Sequence, residues 1–184
     1  MDYQIREIKE REYPILSEFL YEAIFIPEGT KKPPKSIICQ PELQIYIDGF
    51  GKKDDWCLVA GTEEKIIGAV WVRIMNDYGH IDDETPSFAI AIQEEYRHSG
   101  IGTALMTAML KLLKQKGYKK ASLSVQKANY AVDLYRKVGF EVYDENEEEY
   151  IMVCLLEDVL KRKSSQMQYA GKLRKGSNFI VIWV

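Results

Sequence analysis

The sequence predicts a single α/β domain whose sheet is mostly antiparallel and contains one parallel crossover. Three observations lead there. Runs rich in β-formers flank short polar turns at Trp56–Ala60 with Ile66–Ile74, and again at Phe140–Tyr143 with Tyr150–Leu155, which is the pattern of hairpins. The run Ser87–Ile92 leads through a glycine turn into a helical stripe and then into another run, Lys120–Val125, which is the pattern of a crossover. The 184 residues suit one full domain, long enough to bury a core without a disulfide or metal staple.

Taken in order, Tyr3–Ile8 alternates as a first strand. From Arg11 to Phe25 apolar residues fall at helical spacing (Ile15, Phe19, Leu20, Ala23, Ile24), and Pro27 with Gly29 ends that helix. Lys31-Lys32-Pro33-Pro34 is a loop by its prolines, and Pro41–Phe50 reads as a second short helix. The hairpin around the turn at Gly61–Lys65 follows, then a polar connection over Asn76–Pro86 and the strand Ser87–Ile92. Gly100–Lys116 carries an apolar stripe at 101, 105, 109, 112 and 113, with Lys114 and Lys116 at its end and Gly117 beyond, as a capped helix terminus requires. Lys120–Val125 is a strand, Asn129–Val138 a helix closed by Gly139, and the final strands bracket an acidic turn at Asp144–Glu149.

Charge excludes some functions. Lys and Arg number 25 against 28 Asp and Glu, a net charge of -3, which disfavours a nucleic-acid binder. The balance is uneven along the chain: residues 1–158 carry -9, and the extension 159–184 carries +6 with no acidic residue. The three cysteines, Cys39, Cys57 and Cys154, are far apart and lack a CxxC pair, so neither a disulfide framework nor a zinc site is expected. The N-terminus is charged from its second residue and no apolar run approaches the roughly 20 residues of a membrane span. The expectation is a cytoplasmic, reduced protein without a membrane partner.

Chemistry concentrates in one segment, from Phe88 to Met106. A strand runs into Arg97-x-x-Gly100-x-Gly102, and a helix opens at once. Glycines let backbone N–H groups approach a bulky anion, and the helix start adds unsatisfied donors and a positive dipole end. The product is a phosphate or pyrophosphate cradle, to which Arg97 adds charge and Thr103 a hydroxyl. The bland reading, glycines serving a tight packing turn alone, stays open at this point. A P-loop is excluded because no lysine follows the second glycine, and a Rossmann fingerprint because the third glycine is missing.

A second cluster, Asn129-x-Ala131-x-x-Leu134-Tyr135-x-x-x-Gly139-Phe140, also follows a strand. With the Arg-x-x-Gly-x-Gly turn it resembles the GNAT superfamily of N-acetyltransferases. The resemblance runs over about residues 3–156, is loose before residue 56 and is absent after 158. It implies an N-acetyltransferase domain over 1–158, with a mixed sheet whose central parallel strands splay apart and whose faces are flanked by helices. It further implies that acetyl-CoA lies between the splayed strands as co-substrate, with no metal. The backbone of Ile90, Ala91 and Ile92 would pair with its pantetheine arm, and the amides of His98, Ser99, Gly100, Ile101, Gly102 and Thr103 would hold its pyrophosphate. Asn129 would bond the arm, and Tyr135 would face the thioester sulfur. A non-catalytic acyl-CoA-binding regulatory module of the same fold is the alternative.

Thioester aminolysis needs a neutral amine, a stabilised oxyanion and a proton for the leaving thiolate. A thiol near pKa ~8.5 and a phenol near ~10 are close enough for Tyr135 to give that proton. A strand amide at Ile92, freed by the splay, suits the oxyanion. For the base, Glu28, His80, Asp82, Asp83 and Glu84 are all candidates, as is water alone. Tyr46, Trp56 and Trp71 are expected either to line the acceptor pocket or to pack the core. The acceptor is a small-molecule or peptide amine. The extension ends in an apolar run, Asn178–Val184, expected to add a strand to this sheet or to a second copy in a homodimer.

Overall fold

The β-rich and helical segments assemble into one mixed layer with helices on both faces. The computed structural model describes residues 2–27 and 29–156. Its strands β1 (Gln4–Glu7), β2 (Trp56–Gly61), β3 (Ile66–Arg73), β4 (Ser87–Ile92), β5 (Lys120–Gln126), β6 (Glu141–Glu145) and β7 (Glu149–Leu155) form a seven-stranded sheet in the order β1-β2-β3-β4-β5-β7-β6. All neighbours are antiparallel except β4 and β5. The helices are α1 (Leu16–Glu22), α2 (Pro41–Gln44), α3 (Ile101–Gln115) and α4 (Ala131–Val138), so the element order and the one parallel pair agree with the sequence reading.

Strand alternation assigns the faces. In β4, Phe88, Ile90 and Ile92 share a face with Gly68, Val70 and Val72 of β3, and an added Cβ at Gly68 would meet Ile92 at 2.6 Å and Leu105 of α3 at 3.2 Å. That face therefore carries α3, whose Ile101, Leu105, Met106, Met109 and Leu113 are all buried. Each such side chain contributes about 1.5–3 kcal/mol of burial. The opposite face, with Ala69, Trp71, Arg73, Ser87 and Ala89, receives α1 and, through Trp71 and Arg73, the stretch that follows α2.

Two helices depart from expectation. The stretch read as one helix from Arg11 to Phe25 is 3-10 over Glu10–Ile15 and α-helical only over Leu16–Glu22. Pro14 lies inside the 3-10 segment, where it has no N–H to donate to an α-helical ladder. Likewise Pro41–Phe50 is helical only to Gln44. Past that point Arg73 Nη1 donates to the carbonyls of Ile45 and Asp48, both at 2.9 Å, drawing them toward the sheet. Trp71 and Tyr46 are core residues, not pocket residues: Trp71 is fully buried and its Nε1 donates to the Tyr46 carbonyl at 3.1 Å. Trp56 sits under Lys116 and donates to the Tyr118 hydroxyl at 3.2 Å.

The extension 159–184, its expected added strand and Glu28 lie outside the described residues. Among the described residues no helix is long and apolar enough to cross a membrane.

Two electrostatic contacts fix the segments that surround β4. Arg73 is buried, and its Nε meets Asp55 Oδ1 at 3.0 Å, also buried. Removing the cation leaves a buried carboxylate and two unpaired carbonyls, so Arg73→Met is expected to lower stability by about 3–5 kcal/mol, read from urea unfolding. Asp82 ties the connection before β4 to Lys120 at 2.6 Å and to the Thr85 hydroxyl at 2.6 Å. Partial burial opposes its ionisation, but Lys120, Thr85 and the Glu84 amide overcome that and hold its pKa at about 2. A carboxyl depressed in the folded state stabilises fully above its unfolded pKa of about 4 and loses that contribution as pH falls toward 2. Asp82→Asn should therefore melt below wild type at pH 6, with the gap closing between about pH 4 and pH 2.

Candidate active site

β4 and β5 pair at a single position, Ser87 with Ser122, and part beyond it. The last ladder contact on the other edge of β4 is the Gln93 N–H to the Ile67 carbonyl at 3.0 Å. Antiparallel alternation then turns the amides of Ala89 and Ala91 toward β3, and those of Ile90 and Ile92 toward the opening. So Ile90 and Ile92 offer backbone groups to a ligand, whereas Ala91 lines the opening with its backbone already committed to β3. That corrects the expectation that all three pair with the pantetheine arm.

The opening continues into a cleft of about 600 Å³. Its far wall is the turn before α3. Gly100 takes a left-handed conformation (φ 85°) and so does His98 (φ 58°), a costly choice for a residue with a Cβ. The turn is fastened by the Ser99 hydroxyl, which donates to the Tyr96 carbonyl. Gly100 precedes α3, and among the described residues no side chain caps the helix. With no acidic residue in its first turn, α3 presents free N–H donors and an uncompensated positive end to the cleft. Gly102 allows α4 to close in, since a Cβ there would stand 3.1 Å from Leu134.

Arg97 lies differently from expectation. Its Nε donates to the Ile92 carbonyl at 3.1 Å and its Nη2 meets Glu22 Oε2 at 3.2 Å. The guanidinium thus occupies the carbonyl that β5 leaves unpaired and ties it to the end of α1. Glu22 also holds Lys32 at 3.1 Å, and Tyr21 donates to the Pro33 carbonyl at 2.6 Å, which fixes the α1–α2 connection over the cleft. Glu22 escaped the sequence reading, because its partner is 75 residues away and no local pattern announces it.

On the α3 face, Tyr135 of α4 is buried beside Phe140, which packs edge-on to Phe88. Burial pushes the Tyr135 pKa well above the ordinary tyrosine range, and nearby Tyr130 adds to this. The phenol is therefore protonated at neutral pH, and among the described residues its hydroxyl has no hydrogen-bond partner. Asn129 is buried, with Oδ1 accepting from Ala131 N–H at 2.9 Å, which leaves its amide NH2 as the free donor. Tyr130 is exposed and its ring lies 5.3 Å from that of His98 at the cleft mouth.

Of the residues singled out from sequence, Ile90, Ala91, Ile92, Arg97, His98, Gly100, Gly102, Thr103, Asn129 and Tyr135 line this one cleft. Ser99 is exposed and Ile101 is buried in the core; neither side chain is among the lining. The proposed bases do not gather there. Asp82 is engaged with Lys120, His80 Nδ1 contacts the Met75 carbonyl at 3.0 Å, and Asp83 and Glu84 are exposed.

Similarity to known proteins agrees with this architecture. Residues 5–140 match the acetyltransferase (GNAT) family. An N-alpha-acetyltransferase of Sulfurisphaera tokodaii is 30% identical over 128 residues, which is 61% of this chain and 76% of that protein. A ribosomal protein bS18-alanine N-acetyltransferase of Haemophilus influenzae is 39% identical over 62 residues, 34% of this chain and 42% of that one. Among solved structures, the PaiA N-acetyltransferase of Thermoplasma acidophilum in complex with coenzyme A aligns with a TM-score of 0.60 at 21% identity, covering 84% of this chain and 99% of its own. Family match and fold coincide over the residues that build the cleft: the chain belongs to the GNAT family of acetyltransferases, acetyl-CoA-dependent acyltransferases.

Proposed function

We propose that this chain transfers the acetyl group of acetyl-CoA directly to a primary amine, with Tyr135 giving a proton to the departing thiolate. The observation that carries the reading is one cleft into which an uncapped helix start, two unpaired strand amides and a protonated, unpartnered phenol all face. The residues fit the co-substrate: the amides from His98 to Thr103 suit the pyrophosphate, Ile92 and the Asn129 NH2 suit the pantetheine amides, and the free edge of β4 suits strand-like pairing. Bound acetyl-CoA supplies the activated acyl group. Ile90 N–H, farther along β4 from the pyrophosphate turn than the Ile92 amide singled out from sequence, is the donor for the acyl oxygen, and Arg97 keeps β4 and β5 from closing by occupying the Ile92 carbonyl. Tyr135 keeps its proton until the thiolate forms, because burial disfavours the phenolate. The names of the relatives favour a peptide α-amine as acceptor, so peptide N-termini head the panel to be tried.

Acetyl-CoA at about 100-fold above its dissociation constant is expected to raise the melting temperature by roughly 5–10 °C. An unchanged melting temperature at millimolar ligand would overturn the reading, and stabilisation without thiol release on any amine would replace it with the non-catalytic module. Tyr135→Phe is expected to keep the thermal shift and lower kcat by about 100-fold or more in a thiol-release assay. Wild-type turnover in that variant would remove the phenol from the acid role.

A further inference from the structure

The face of the sheet opposite Tyr135 holds polar groups that neither the fold nor the cleft accounts for. Ser122 and Ser124 project from β5 on the side that carries α1, and both hydroxyls are buried without a hydrogen-bond partner among the described residues. Oδ1 of Asp77, in the connection between β3 and β4, likewise makes no hydrogen bond among the described residues, although the backbone N–H groups of Asp77 and Gly79 lie close enough to that carboxyl to favour its ionised form. Its other oxygen, Oδ2, accepts from Ser87 at 2.7 Å and from Tyr46 at 2.9 Å, which fixes the carboxyl at the foot of β4. Gly79 presses the connection onto the strands at that point: a Cβ there would stand 2.7 Å from Ser87 Oγ and 3.1 Å from Ser124 N. Asp77, Ser122 and Ser124 therefore meet where β4 and β5 begin to part. Ser124 lies on the same face of β5 as Ser122, two residues past the Ser87–Ser122 pairing, where β4 and β5 are no longer paired.

A second carboxylate adds to the negative field. Glu149 starts β7, pairs with Gln126 and shares the face of Ser124. Burial pushes the carboxyls of Asp77 and Glu149 above the ordinary range. Burial raises the pKa of Tyr46 and of Tyr78; Asp77 and, less, Glu149 add to the first, and Glu149 and Glu42 to the second. Buried oxygens left without partners are costly and call for an occupant. An ammonium group has three donors and no acceptor, the complement of a site rich in unmatched oxygens.

We propose that Asp77, with Ser124 and Glu149, is the binding site for the acceptor's ammonium group and that Asp77 takes its first proton. This rests on the acetyltransferase reading above. The acyl carbon would then lie between Asp77 on one face of the sheet and Tyr135 on the other. Asp77 accepts a proton from the ammonium, and the nitrogen lone pair forms the N–C bond as the C–S bond breaks. Tyr135 protonates sulfur and recovers a proton from the nitrogen as the amide forms, so one proton is released overall. The acceptor class is a primary amine that is cationic at neutral pH.

The test is steady-state kinetics on the full chain with the best acceptor from an amine panel, beside melting temperatures. Asp77→Asn keeps an oxygen for Tyr46 and Ser87 but loses the charge; it should raise the KM for the amine about 10- to 100-fold, with the KM for acetyl-CoA within about twofold. Ser124→Ala should also raise the amine KM, yet leave the melting temperature unchanged or higher, since it removes an unpaired buried hydroxyl. Both KM values moving together, or neither moving, would overturn the amine site and leave the acetyltransferase reading intact. A wild-type chain that acetylates no amine would overturn both.

Discussion

The parting of β4 from β5 is the constraint on which the rest of the molecule depends. A sheet interior ordinarily leaves no strand edge unpaired, because an unmatched amide or carbonyl away from water is costly. Here two central strands separate after one pairing, and the groups exposed must be answered by something other than a neighbouring strand. Arg97 answers one of them, the carbonyl of Ile92. The others face a cleft. The turn in left-handed conformation, the bare start of α3 and the close approach of α4 at Gly102 all follow from building walls around that opening. Helix α3 buries one face of five large residues against the sheet, so the position of its N-terminus is set by core packing. A donor array held by a packed helix needs little reorganisation to meet an anion.

The two faces of the opening differ in kind. The α3 side presents an aromatic cluster, Phe88, Phe140 and Tyr135, in which a phenol keeps its proton because charge is disfavoured there. The α1 side presents carboxylates and serine hydroxyls, several of them unmatched. One sheet thus separates an apolar environment from a polar one, and strand alternation is all that is needed to sort the side chains between them.

Much of this was legible in the sequence because it is local. The hairpins, the stripe of α3, the glycine turn and the Asn129–Tyr135 cluster each occupy a short window in which spacing carries the information. What escaped was set by distant partners. Pro14 tightens the first helix into 3-10 turns, and Arg73 diverts the carbonyls beyond Gln44, so the extents of both early helices were misread. Trp71 and Tyr46, for which the sequence leaves pocket and core equally open, are bonded to one another in the core. Glu22 and Asp77 carry no motif, since their partners lie across the fold. Ala91 shows the same limit at the scale of one residue: the sequence names the strand, and only the pairing register tells which amides remain free.

The single join between β4 and β5 also bears on how the chain comes together. On one side, β2, β3 and β4 are successive strands paired as a meander, with β1 added at its edge. On the other, β6 and β7 form a hairpin against which β5 lies. Each group closes mainly short loops, which form fast, whereas the parallel contact between them spans the crossover through α3. The cleft is thus a seam between two locally assembled half-sheets, and its shape is decided by how α3 docks them.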